Sequence, residues 1–289
     1  PTQQTVSDTL RDVQTPFLPF KRTDVFHDFF VPLHCTLSNI SMHLPVFYLI
    51  NFSIILVVLI FLVKYLWDIF FGETYEPPVW EKARKNGNIS KELLKASRNY
   101  PDKVRLYNFW LQVQRIQNNG VEGDFAELGV YQGDSARMLH LMAPGRVLHL
   151  FDTFEGFTGA DLQTEKGEAA TYSSKNFADT SINKVLTKIG GNSEKLRVHA
   201  GYFPASAAGL NDIRYALVNM DADLYNPTRA GLEYFYPRLA PGGIIFIHDY
   251  NHKWEGLAKA VDEFVMTIPE SLVLLPDFDS TVMIVKNRI

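Results

Sequence analysis

Cysteine is nearly absent. Cys35 is the single one in 289 residues, so no intrachain disulfide can form and no cysteine-based zinc site can be built. An excess of positive charge is missing too. With 28 Lys and Arg against 32 Asp and Glu, the net charge is -4, and no basic run carries interleaved aromatics, which excludes electrostatic binding of nucleic acid. A third absence is local. From Leu44 to Val63 no residue bears a formal charge, and apart from Lys64 the apolar character continues through Trp67 to Phe71. Twenty residues at helical rise cover about 30 Å of hydrocarbon, and Tyr48 and Trp67 suit interfacial positions near the ends. A membrane-spanning helix over residues 44–71 is therefore expected, retained as an anchor because no small-residue cleavage site follows it. Lys64, Lys82, Arg84 and Lys85 come after the span while the 20 residues before it hold no Lys or Arg, which puts the C-terminal portion in the cytoplasm. Pro45, Asn51 and Ser53 dilute the run and leave a buried core helix of a cytoplasmic protein as the alternative.

What is present is enough apolar sequence, 46%, for a sizeable core. Residues 1–43, interrupted by Pro16, Pro19 and Pro32, have no legible period. Residues 72–122 read as a helical linker and cap. Pro77-Pro78 mark a break, Ser90 is placed to cap a helix through Ser97, and a second helix starts near Asp102. In that helix Leu106, Phe109, Trp110, Val113 and Ile116 form one apolar stripe, with Gly120 placed to stop it. From residue 123 to 289 strands and helices alternate. The expected strands are 124–128, 147–152, 196–200, 216–220 and 243–248, followed by 272–275 and 281–285 around a Pro-Asp-Phe-Asp-Ser turn too short for a helix. This is an α/β pattern, a mostly parallel sheet of seven strands finished by an antiparallel pair.

Five motifs fall at expected strand ends, where open α/β sheets gather ligands. In Glu127-Leu-Gly-Val-Tyr-Gln-Gly-Asp-Ser135 the glycines Gly129 and Gly133 permit close backbone approach before a helix start, with Tyr131 and Ser135 as further contacts. The spacing lacks the G-x-G-x-x-G built around a pyrophosphate; a strand-end acid with a glycine loop suits the amino-acid part of S-adenosylmethionine. Asp152 ends the second strand, where a carboxylate can accept both ribose hydroxyls of a nucleoside cofactor, with Thr153 and Phe154 beside it. Gly201, Tyr202 and Phe203 follow the third strand, where a base can stack or the aromatics can simply pack. The fourth and fifth strands end in Asp221-Ala-Asp223 and in His248-Asp249. Asp221, His248 and Asp249 make a usable divalent-metal set, although an Asp-rich turn and a hydrogen-bonded core histidine are the plainer alternatives. Residues 156–181, rich in Gly, Thr, Ser and Lys, read as a substrate lid.

Together these motifs resemble the macrocin O-methyltransferase group, metal-dependent enzymes that methylate sugar hydroxyls. The resemblance covers roughly residues 98–288 and rests on ELGVYQGDSA, FDTFEGF, MDADLYNPT, LEYFYPRLAPGG, HDY and GLAKAVDEF in family order. It implies a Rossmann-like class I methyltransferase fold, with Glu127, Gly129 and Asp152 holding S-adenosylmethionine, Asp221 and Asp249 ligating Mg2+, and Asp223 as general base. Where the family usually has Asp-Asp-Tyr this chain has His248-Asp249-Tyr250, a departure that opens the choice to other divalent metals. The partners implied are a small-molecule or lipid-linked hydroxylated acceptor, the membrane and a second copy of the chain in a homo-oligomer. Two further readings remain: a metal-independent methyltransferase acting on a phenol, amine or carboxylate, and a membrane-anchored cofactor-binding protein without catalysis.

Overall fold

The computed structural model describes residues 44–71, 76–191, 193–251 and 253–288. The readings for residues 1–43 lie outside these described residues. After Gly72 the chain divides into two units. In the first, helix α1 (Leu44–Phe71) runs without interruption for 28 residues. Within it, Val46–Trp67 is the one stretch among the described residues long and apolar enough to cross a membrane, and none of it is buried. Its 22 residues rise about 33 Å.

The second unit begins with three helices, α2 (Pro78–Lys85), α3 (Lys91–Asn99) and α4 (Lys103–Asn118). Pro78 does not merely break the chain; it occupies the first turn of α2, where its missing N–H costs nothing. Ser90 caps α3 by accepting from Leu93 N, and Asp102 caps α4 by accepting from Arg105 N at 2.9 Å. All five stripe residues of α4 are buried, and Phe109 meets Phe246 edge-on with ring centroids 5.0 Å apart.

Seven strands follow: β1 (Asp124–Leu128), β2 (Leu148–Asp152), β3 (Leu196–Ala200), β4 (Tyr215–Met220), β5 (Leu239–Ile247), β6 (Val273–Leu274) and β7 (Val282–Val285). Between them lie α5 (Asp134–Met142), α6 (Gly159–Leu162), α7 (Ile182–Ile189), α8 (Tyr225–Arg238) and α9 (Glu255–Val265). The sheet order is β3-β2-β1-β4-β5-β7-β6, parallel through β5 and antiparallel at β7 and β6, as the alternation of elements predicts. Strand alternation divides the core in two. Phe125, Leu217, Ile244 and Phe246 face the side covered by α4, α5 and α7, whereas Ala126, Val218, Ile245 and Ile247 face α8 and α9.

One boundary differs from the sequence pattern by more than a residue or so. The fifth strand starts at Leu239, not Gly243, because the Pro-Gly-Gly segment that reads as a break is absorbed within it. Tyr215 pairs with Leu239 but Leu217 with Ile244, so the extra residues bulge out, with Gly242 at φ +80°. Because Phe109 fills the space between α4 and the sheet, Phe109→Ala should cost about 3–5 kcal/mol, lowering the urea midpoint with little change in slope.

Candidate active site

Register brings four strand ends to one level. Leu128 pairs with both Phe151 and Met220, and Met220 with Ile247, so Gly129, Asp152, Asp221 and His248 follow side by side. The order reverses at β1, with β2 on one flank and β4 on the other, which opens a crevice there. Gly129 N–H donates to Phe151 O, Asp221 N–H to Leu128 O and His248 N–H to Met220 O, all at 2.8–2.9 Å. A Cβ on Gly129 would lie 1.9 Å from the Asp221 carbonyl oxygen, so this glycine is needed first for the approach of two strand ends. Over these ends lies a cavity of about 480 Å3.

At one end of the cavity the loop after β1 wraps around Asp152. Its Oδ2 accepts from Val130 N at 2.6 Å and Tyr131 N at 2.9 Å, and Oδ1 accepts from Phe154 N at 2.6 Å. Tyr131 and Phe154 sit at φ +47° and +56°, the left-handed turns that aim their amides at one carboxylate. Gly129, Tyr131, Gly133, Ser135, Asp152, Thr153, Gly201, Tyr202 and Phe203 all line the cavity; Glu127 and Phe154 do not. Phe203 packs against Phe151 and Phe235, the plainer role open to it, and Tyr202 donates its hydroxyl to Asp161 Oδ1 at 2.9 Å. Thr153 is spent on its own turn, donating to Gly156 O. Glu127 lies fully buried beneath the loop, where Oε1 accepts from Ser135 Oγ and Asn219 Nδ2 while Oε2 has no partner. Burial pushes its carboxyl up to about 8, against the pull of those two hydrogen bonds. That unsatisfied acceptor, with the Asp152 carboxylate at the wall, fits a ligand bearing a cation and a pair of hydroxyls.

At the other end β4 stops at Met220, and the chain turns at once. Asp223 adopts φ +60°, as does Asp249 after β5, and the two turns bring Asp221, Asp223 and Asp249 together. One ligand oxygen from each lies within 4.8 Å of the others. Burial raises all three carboxyls. For Asp223 repulsion from Asp221 and Asp249 adds to it, and Asp249 is pushed up to about 8 by burial and by Asp221. Such a cluster is short of positive charge, and an oxygen-only donor set of this kind suits a hard divalent cation.

His248 does not join it. The ring is fully buried, its Nδ1 lies 2.8 Å from Thr281 Oγ1 and its Nε2 2.5 Å from Asn219 Oδ1, and Phe109 packs edge-on against it. With both nitrogens engaged in the core, the expectation of a metal-ligating His248 is corrected to the plainer one of a hydrogen-bonded core histidine. Burial, then Arg105, moves its pKa well down and keeps it uncharged. The third carboxylate is Asp223 instead.

Several cavity residues carried no signal in the sequence. Arg105, on α4, donates to Asp277 Oδ2 and Asp279 Oδ2 at 3.0 and 3.2 Å from the turn before β7. Burial works against its charge, but Asp221, Tyr100 and Asp277 outweigh it and its pKa moves up. Residues 156–181 are more ordered than a polar loop suggests, holding α6 and a 3-10 turn at Ala169–Thr171. Asp161 Oδ1 accepts from Asn226 Nδ2, and Glu165 Oε1 from Tyr225 N at 2.7 Å, which fasten the segment to the start of α8. Its Phe157 and Tyr172 meet Trp254, and its Phe177 meets Tyr131, so an aromatic wall bounds the cavity.

A tetracenomycin-C derivative 4'-O-methyltransferase of Streptomyces olivaceus, acting on the 8-demethyl-8-(2,3-dimethoxy-alpha-L-rhamnosyl) form, is 31% identical over 156 residues, 50% of this chain and 60% of that protein. Mycinamicin III 3''-O-methyltransferase of Micromonospora griseorubida is 26% identical over 160 residues, 50% of this chain and 62% of that protein. The chain thus covers less than two thirds of the length of these two relatives. The solved structure of the O-methyltransferase NovP is similar in fold, with a TM-score of 0.55 at 24% identity over 64% of this chain and 80% of that one. The profile of the macrocin-O-methyltransferase (TylF) family matches residues 80–272, more than half of the sequence, and the chain belongs to that family.

Proposed function

We propose that this chain is an S-adenosylmethionine-dependent O-methyltransferase that methylates a hydroxyl of a small sugar-bearing acceptor with the help of a divalent cation, Mg2+ being the natural candidate. The observation that carries the reading is one cavity with the Asp152 loop at one end and three clustered carboxylates at the other. One named relative is an O-methyltransferase of a rhamnosyl-bearing compound and another a 3''-O-methyltransferase of mycinamicin III, which supports the acceptor class. Residues Gly129, Tyr131, Gly133, Asp152, Gly201 and Tyr202 would hold the cofactor, with Glu127 as a buried acceptor behind them. Asp221 and Asp249 would hold the metal, with Asp223 beside it. When bound, the two groups supply an electrophilic methyl and a positive charge that favours an ionised hydroxyl.

The chain's own part is positioning, desolvation and proton handling. Asp223, buried and raised by its neighbours, is the side chain proposed to take the hydroxyl proton. Arg105 holds countercharge beside Asp221, and the aromatic wall of Phe157, Tyr172 and Trp254 offers flat surface to the apolar faces of a sugar and keeps water out. Helix α1 is proposed to anchor the chain in a membrane with the catalytic unit on the cytoplasmic side. That arrangement would favour a lipid-linked acceptor.

Asp223→Ala should lower kcat/KM by about 10^2- to 10^4-fold while cofactor affinity, read by calorimetry, stays within about threefold. Asp221→Ala should abolish Mg2+ binding; full transfer activity in either variant would refute the assignment. The pH dependence follows from the raised carboxyls. Between about pH 4 and about pH 8 the folded protein keeps protons that the unfolded chain has released, so without metal its stability falls as pH rises through that window. Metal must displace those protons, so Mg2+ affinity should increase toward pH 8 by up to about tenfold per pH unit for each proton displaced, measured by titration calorimetry at several pH values. For the anchor, the full chain should stay with membranes after alkaline carbonate extraction. Arginines at both Leu56 and Leu59, each costing about 3 kcal/mol at mid-span, should release it.

A further inference from the structure

A second cavity, of about 800 Å3, opens at the opposite end of the sheet, where β1, β4 and β5 begin. Its wall holds three cations, Arg214, Lys286 and Arg288, against one carboxylate, Glu122. A fourth cation, Arg115, stands behind Gly242. Its Nη1 donates to Gly242 O at 2.8 Å, whereas its buried Nη2 has no partner. Arg288 packs on the same glycine, for a Cβ there would lie 2.8 Å from Arg288 Nε.

In a chain with net charge -4 these cations are left without carboxylates. Among the described residues no ion pair within 4.0 Å involves Arg115, Arg214, Lys286 or Arg288. The bonds they do make go to carbonyl oxygens: Arg214 Nη1 to Pro237 O at 3.2 Å and Lys286 Nζ to Tyr236 O at 2.7 Å. Those carbonyls fix the side chains without neutralising them. Glu270 is near Lys286, but its oxygens are taken by the Tyr236 hydroxyl and the Asn287 amide. The cations feel one another. Arg115 is moved down by burial and by Arg288, and Lys286 is moved down by burial, with the attraction of Glu270 opposing and the repulsion of Arg214 adding a smaller push.

Mutual repulsion of this kind within a concave wall is relieved by an anion of more than one charge. Two guanidinium forks and an ammonium match tetrahedral phosphoryl oxygens better than a single planar carboxylate. We propose that the cavity walled by Arg214, Lys286 and Arg288, with Arg115 behind it, binds a phosphoryl group at the end of the sheet away from the carboxylates. The ligand is a phosphorylated small molecule or the phosphate of a lipid headgroup. Neither requires the methyl-transfer chemistry, so this site stands independently of that reading.

The test is calorimetric titration of the full chain in non-ionic detergent with inorganic pyrophosphate and, separately, with dioctanoyl phosphatidylglycerol. EDTA is included so that a metal on the carboxylates recruits neither probe. Saturable binding that weakens at high salt and falls at least about tenfold in both Arg214→Glu and Arg288→Glu is expected. Both arginines are exposed, and Arg214→Gln and Arg288→Gln should keep the unfolding temperature while weakening binding in the same direction. Binding of pyrophosphate identifies a soluble ligand, and binding of the lipid alone identifies a headgroup. No saturable binding of either probe, or binding unchanged in all four variants, overturns the proposal.

Discussion

Three carboxylates within 4.8 Å of one another, buried and mutually repelling, are the constraint around which the catalytic unit is arranged. Left to themselves they would separate. They are kept together because each follows a strand fixed in register, and because Asp223 and Asp249 accept a left-handed backbone that few side chains tolerate. Arg105 supplies the local opposing charge, and it is held in turn by Asp277 and Asp279. Local strain and electrostatic repulsion are therefore carried by the ladders of β1, β4 and β5, whose apolar cores on both faces give them the rigidity to do so.

Beneath the two ends of the cavity runs a buried polar chain. Ser135 and Asn219 meet on Glu127, Asn219 meets His248, His248 meets Thr281, and the Thr281 amide donates to Asp277, which accepts from Arg105. Thus the acid under the glycine loop and the arginine beside Asp221 belong to one hydrogen-bonded set. In an interior of low dielectric each member is costly to leave unpaired, so the set fixes rotamers at both ends at once. His248 takes part as an uncharged link.

The fourth and fifth strands were legible because buried parallel strands are near-continuous apolar runs, and the bounds 124–128 and 196–200 match those observed. The carboxylates were legible because acids directly after such runs are unusual. What sequence could not reveal was direction. Whether His248 or Asp249 turns toward the cavity depends on one positive φ, and nothing in His-Asp-Tyr encodes it. The same blindness hid Arg105, a charge flanking an apolar helical stripe that reads as solvated surface until the turn at Asp277 is folded against it. Pro241-Gly242-Gly243 misled in the other direction, since a bulge and a strand boundary use the same residues.

Asp277 lies 172 residues along the chain from Arg105, in the turn between the last two strands. During synthesis α4 leaves the ribosome before any strand of the sheet, whereas its electrostatic partner emerges only after the first six strands. Until then the glycine loop and the cluster-bearing strands can pair, but the arginine has no acceptor and the deepest charge in the site has nothing to brace it. Closure of the terminal hairpin is thus a late, long-range step, the sort of contact that slows folding by its loop-closure entropy. It ties completion of the site to completion of the sheet.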